Sequence, residues 1–387
     1  MNKRNVITAA THILCCWTLV VVPSLAFACD VAMARQVADL LVANNVEGAN
    51  RLLDQFEERQ SNQPMVGLYR GAVLWAQAQN ASKDDRPAAQ QKVIDAMQQV
   101  IEQELHSLRD NPAQPHRQLS LGLARAFIAR TYLQQKKWFK AYGYGRQARD
   151  GLRDLIEQHP NQEDAYLVLG LYEYHTGSVS PFWKWIMALL DLSGDAQLGI
   201  QYIERAVQKA PVVAPEAARV LLTEIKSSPP QVCDYQPLAQ TMREYYGSNP
   251  QFSMALQDIY ILCGQAQKAL DETRQARSRY LDKHPNLETS LDIRALIAYR
   301  ELGDMQNVEA MAPRLQSVPL IWALNKAKVA DILGERQAAS GYYQALIDDD
   351  DAPRWIHKQA KKYLNQPYQP FATRTPQREL QLSARCS

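Results

Sequence analysis

The sequence predicts an all-α protein in which short antiparallel helix pairs stack one on the next. Three observations carry that expectation. From Asp30 to about Leu364, apolar residues recur at spacings of three and four, and no stretch alternates with period two over a useful length. Asn, Gly and Pro punctuate the ends of these stripes, as in Ser61-Asn62-Gln63-Pro64 and Gly247-Ser248-Asn249-Pro250. A terminating sequence also repeats. Glu157-Gln158-His159-Pro160-Asn161 returns in type as Leu281-Asp282-Lys283-His284-Pro285-Asn286, each closing a long helix ahead of another amphipathic one. His159 and His284 are therefore expected at helix ends, where a polar or cationic group favours the negative end of the dipole.

The first 28 residues read as a secretory signal. Lys3 and Arg4 supply the positive start, and Ile13 to Val22 is an apolar run broken only by Thr18. Pro23 and Ser24 end any helix, and Ala26-Phe27-Ala28 offers a small-x-small cleavage site before Cys29. That run is too short for the roughly 20 residues a membrane span needs. Lipid attachment at Cys29 is the lesser alternative, because Ala26 and Phe27 depart from the usual residues before a lipidated cysteine. The expected location is a periplasm. Removing Lys3 and Arg4 leaves 41 basic residues against 41 acidic ones, which excludes a nucleic-acid binder working by overall basicity. The 46% hydrophobic content suffices for a sizeable core.

Divergent helix pairs are expected over 29–118, a stacked array over 119–350, a capping helix over 351–365 and a loosely ordered tail over 366–387. Pro367, Pro370 and Pro376 among many polar residues mark the tail. In the array, Tyr166-x2-Leu169-Gly170 is followed by Gly177, then by Gly199-x3-Ile203-x2-Ala206 and Pro211. Further copies carry Tyr132, Ala141 and Ala148; Tyr260, Gly264, Ala269 and Ala276; Tyr299, Gly303, Val308 and Leu315; and Gly334, Ala339, Tyr343 and Leu346. These copies resemble the tetratricopeptide repeat, a helix-turn-helix of 34 residues with a W-x2-L-G-x2-Y…A-x3-F…P pattern. The resemblance covers residues 119–350 and, more weakly, 31–107. It implies a right-handed superhelical solenoid of antiparallel helix pairs, a scaffold role and a partner protein or peptide. Small residues such as Gly170, Ala148 and Ala206 would let paired helices approach closely, with Tyr and Leu filling the gaps. Glu173 stands where the repeat has an aromatic residue, and an insertion at 178–194 separates the two helices of that copy.

After the signal leaves, Cys29, Cys233, Cys263 and Cys386 remain, and an even count in an exported chain suggests disulfides. Cys233 lies at the start of a helix ending near Tyr246, and Cys263 at the end of one starting near Gln251. In an antiparallel pair those ends meet, so Cys233–Cys263 is the expected bond. Cys29 with Cys386 follows by elimination, and either could stay free.

The insertion is apolar on nearly every face, with Lys184 and Asp191 as its only charges. It is either a plug packed on the solenoid or a docking element for a partner or membrane interface, with Phe182, Trp183, Trp185 and Met187 as anchors. First helices line the inner face of a tetratricopeptide array, which would place Arg130, Tyr174, Asp258, Arg300 and Lys328 there, fit to hold an extended peptide or a carboxylate. The same positions also suit an ordinary solvated face. Asp348 to Asp351 reads as a polar turn and cap, since a calcium loop needs six to eight spaced oxygens. His175 and Glu173 read as a surface pair. No GxSxG, HExxH, P-loop or GxGxxG occurs, so neither an enzyme, a cofactor nor a metal site is expected. The expected function is a non-enzymatic exported scaffold for an envelope protein or peptide. A small-molecule or lipid-binding repeat protein, such as a transporter accessory, is the alternative.

Overall fold

The computed structural model describes residues 31–59, 64–178, 194–225 and 231–373. Among the described residues it is all-helical, with no strand, and successive helices pack as neighbours. The chain divides into two compact units, Met1–Leu221 and Leu222–Ser387. The division falls shortly before Lys226-Ser227-Ser228-Pro229-Pro230, which lies outside the described residues. The signal region, Cys29, Cys386, the anchors Phe182, Trp183, Trp185 and Met187, and the tail beyond residue 373 lie outside the described residues.

The first unit holds α1 (residues 31–42), α2 (Val46–Arg59), α3 (Pro64–Asn80), α4 (Arg86–Asp110), α5 (Pro115–Gln134), α6 (Trp138–Gln158), α7 (Ala165–Gly177) and α8 (Ala196–Lys209). The next helix, α9 (Ala214–Thr223), runs across the division. Besides consecutive pairs, α3 touches α5 and α5 touches α7, so these three helices share one layer. The second unit holds α10 (Gln231–Asp234), α11 (Gln236–Tyr245), α12 (Pro250–Leu262), α13 (Ala266–Tyr280), α14 (Glu288–Glu301), α15 (Met305–Ala310), α16 (Pro319–Ile332), α17 (Arg336–Asp348) and α18 (Arg354–Asn365). Here α12, α14, α16 and α18 touch in series, again forming a layer of alternate helices.

One turn recurs five times among the described residues. Asn44, Lys136, Gly264, Gly303 and Gly334 all adopt left-handed φ between 59° and 78°. In each case the following N–H donates to the carbonyl five residues back: Asn45 to Leu40, Lys137 to Tyr132, Gln265 to Tyr260, Asp304 to Tyr299 and Glu335 to Ala330, at 2.7–3.0 Å. This is the Schellman closure, which satisfies the carbonyls that a helix end leaves open. The His-Pro-Asn ends match as well. His159 and His284 have φ of −134° and −135°, and each N–H donates four residues back, to Leu155 and Tyr280.

Close approach at the α7–α8 pair needs glycine on both sides. A Cβ on Gly199 would lie 2.4 Å from the Tyr174 nitrogen and 2.7 Å from the Gly170 oxygen. The base of the insertion closes tightly, because a Cβ on Gly177 would meet the Ala196 nitrogen at 2.3 Å. Glu173 also turns inward. It is 5% exposed, binds Arg153 at 2.8 Å and accepts the Asp195 N–H at 3.0 Å, so it ties α7 to the chain returning from the insertion. The expected surface pair with His175 is replaced by this buried tie, because a carboxylate at that depth requires cationic and N–H partners.

Cys233 and Cys263 are bonded, with α-carbons 5.7 Å apart. Cys233 sits on α10, which a break at Tyr235 separates from α11, rather than on one continuous helix. Asp349 forms the polar turn expected before the last helix: it accepts the Asp351 N–H at 3.0 Å, and its carbonyl meets His357 at 2.9 Å.

Candidate functional site

The second unit brings Arg300, Glu301, Lys328 and Asp331 together beneath the C-terminal segment. Glu301 ends α14 and Asp331 lies in the last turn of α16, each just before a left-handed glycine. Arg300 is 6% exposed. Its Nε donates to Glu301 Oε1 at 2.9 Å and its Nη1 to Asn325 Oδ1 at 2.6 Å. The Asp331 carboxylate is fully buried and accepts three donors: Arg336 Nη1 at 2.8 Å, Tyr343 Oη at 2.9 Å and the Tyr368 N–H at 2.8 Å. Burial and the bond to Asp331 push the Tyr343 hydroxyl above the ordinary tyrosine range.

Residues 366–373 run back over this cluster. Tyr368 is 3% exposed, with its ring 5.0 Å from the Arg300 guanidinium and 5.2 Å from Lys328 Nζ. Its hydroxyl donates to Glu301 Oε1 at 2.5 Å, and the Phe371 N–H donates to Glu301 Oε2 at 2.7 Å. Tyr363 meets the ring edge-on at 5.1 Å. Farther on, Ala372 rests against Gly264, where an added Cβ would stand 2.9 Å from it. The segment therefore leaves α18, crosses the ends of α16 and α14, and reaches the turn after α12. Two carboxylates hold its backbone and two cations hold its aromatic ring.

Part of the tail expected to be loosely ordered is thus an ordered occupant. Composition misled because proline was read as disorder. Pro367 and Pro370, three residues apart, equally suit an extended polyproline turn that presents Tyr368 and Phe371. The aromatic residues between the prolines were the available signal.

The five inner-face residues are divided between the two units. Arg300 and Lys328 share this site, but they lie beneath Tyr368 rather than on a solvated face. Asp258 binds Arg294 at 2.8 Å and keeps 48% of its side chain accessible, although surrounding protein raises its pKa against the opposing pull of Arg294. In the first unit Arg130 stacks 4.6 Å from the Trp75 ring and sits 3.9 Å from Glu216, while Tyr174 is buried.

Among the described residues, no group of three His, Cys, Asp or Glu stands close enough to hold a metal. A hollow of about 530 Å³ between α2 and α3 is lined largely by exposed polar residues, including Glu47, Arg51, Gln77 and Asn80. A tighter one of about 200 Å³, lined by Gln118, Arg125, Asp154 and Gln158, falls below the 300–1,000 Å³ usual for small-molecule sites. No helix of the described residues is long and apolar enough to cross a membrane.

The fold and the site define an all-helical protein whose second unit holds a segment of its own chain across successive helix ends. No family model matches the chain, and no curated protein matches it.

Proposed function

We propose that the chain is an exported, non-enzymatic scaffold of tetratricopeptide type that binds an extended, proline-flanked aromatic peptide of a protein partner in the cell envelope. The occupancy of the Glu301–Asp331 site by residues 366–373 carries this proposal. Those two carboxylates take backbone N–H groups, which any extended peptide offers, while Arg300 and Lys328 select an aromatic ring. The five recurring turns and the layers of alternate helices support a repeat architecture. The Cys233–Cys263 bond is compatible with export, as is the N-terminal run of Lys3, Arg4 and Ile13 to Val22.

An array of proline-aromatic peptides tests the proposal. The chain ending at Asn365 should retain peptides with aromatic residues spaced like Tyr368 and Phe371, and the substitution Glu301→Gln should weaken that retention. Uniform retention across unrelated sequences, or none, would refute it.

A further inference from the structure

We infer that the α5–α6 turn is a membrane contact that takes an anionic lipid surface. Between Asn111 and Arg149 the chain carries eight Lys and Arg residues and no Asp or Glu. Four of the five arginines have carboxylates within 4 Å, Arg117 from Glu104 at 2.9 Å, Arg130 from Glu216 at 3.9 Å, and Arg146 and Arg149 from Asp150 at 3.6 and 2.8 Å, and the fifth, Arg125, is half-buried. Lys136, Lys137 and Lys140 at the turn have no carboxylate partner among the described residues, and all three are exposed. Lys137 and Lys140 lie 5.8 and 5.5 Å from the Tyr132 ring, which gathers their charge at the tip. Between them stand Trp138 at 62% exposure and Phe139 at 92%, with Leu133 at 47% beside them.

Geometry favours a bilayer over a protein pocket. The turn joins the ends of the α5–α6 pair, and its Trp138 and Phe139 rings are exposed rather than packed on a neighbouring element. Trp and Phe settle at the level of lipid headgroups, and neighbouring lysines meet the negative charge there. The turn is also braced from behind, where Gln134 hydrogen-bonds Gln79 and Gln90 at 3.0–3.1 Å. The neighbouring connection holds Lys83, Asp84, Asp85 and Arg86, whose charges cancel, so the positive excess belongs to the α5–α6 tip. Lys136 adds a second cue. It holds φ at 59° at a position where three of the five recurring turns use glycine, so a lysine stands there despite its backbone cost.

The test is partition of the full chain onto phosphatidylcholine vesicles with and without phosphatidylglycerol. The double substitution Trp138→Ser with Phe139→Ser removes exposed side chains, and an unchanged melting curve confirms that it folds. We expect it to lower partition onto the anionic vesicles by about tenfold. Charge reversal at Lys137 and Lys140 should remove the preference for phosphatidylglycerol, each lysine contributing about fivefold. All variants share the same N-terminal run, so the differences between chains report the tip. A blue shift of tryptophan emission on anionic vesicles should vanish with Trp138→Ser. Equal partition of the wild-type and doubly substituted chains would overturn the inference, as would a blue shift unaffected by Trp138→Ser. A turn serving an acidic protein instead would give that same equality.

Discussion

Replacing Asp331 by alanine tests how residues 366–373 are held, because this one buried carboxylate anchors α17, its own helix and the returning segment. The substitution orphans the Tyr343 hydroxyl, whose residue is fully buried, and the Tyr368 N–H, whose residue is 3% exposed. Each buried donor left without an acceptor costs about 1–3 kcal/mol. Arg336 keeps 36% of its side chain accessible and also donates to the Leu364 carbonyl, so its loss is screened and adds little. The expected total is about 4 kcal/mol. Tyr343→Phe alone removes one bond and should cost about 1 kcal/mol. Combining the two should cost less than their sum by about 1–2 kcal/mol, since the phenylalanine leaves no hydroxyl to orphan. Urea unfolding followed by circular dichroism supplies the numbers. A loss below 1 kcal/mol for Asp331→Ala, or strict additivity in the double variant, would refute this account of the cluster.

Three further outcomes follow from the same geometry. Gly199→Ala should destabilise by about 1–3 kcal/mol in the same assay, because its Cβ meets backbone atoms of Tyr174 and Gly170 that no rotamer can move. Reducing Cys233–Cys263, which spans 30 residues, should cost about 3 kcal/mol, and unfolding in the absence of reductant should expose neither thiol to titration. Glu163 is held below its ordinary value of 4.5 by two hydrogen bonds from Arg205, so its contribution is full above that pH and lost as pH falls through the folded value. Glu163→Gln should therefore cost about 1 kcal/mol at neutral pH and nothing in acid. The neighbouring Asp164 runs oppositely: burial raises its pKa despite N–H bonds from Val212 and Val213, so its cost at neutral pH is relieved on acidification.

Local rules made much of the fold legible in the sequence. Apolar spacing of three and four placed the helices, Gly264, Gly303 and Gly334 marked turns that need left-handed backbone, and the two His-Pro-Asn ends adopt matching conformations. The antiparallel relation of neighbouring helices was enough to pair Cys233 with Cys263. Long-range contacts were not legible. Asn44 and Lys136 make the glycine-type turn without glycine, so no residue type announced them. Glu173 was set aside as a departure from the repeat pattern, yet its burial depends on Arg153, twenty residues away on another helix. Arg300 and Lys328 were expected on the inner face of the array, open to a ligand or to solvent, because spacing within one helix cannot show that Tyr368 returns to cover them. The absence of any acid from Asn111 to Arg149 was open to view in the sequence, but the exposure of Trp138 and Phe139 within that stretch depends on tertiary packing and was not.

Because Tyr368 follows Asn365 so closely, its local concentration at the site is of millimolar order, and a peptide arriving from outside must compete with it. The most direct measurement is titration of a fluorescent peptide of residues 365–373 into the chain ending at Asn365 and into the full chain, with full-length Tyr368→Ala as a second vacated form. The account predicts binding to both vacated forms at about 10 µM, and roughly a hundredfold weaker binding to the full chain. Equal affinity for all three chains, or no binding to either vacated form once folding is verified, would contradict it.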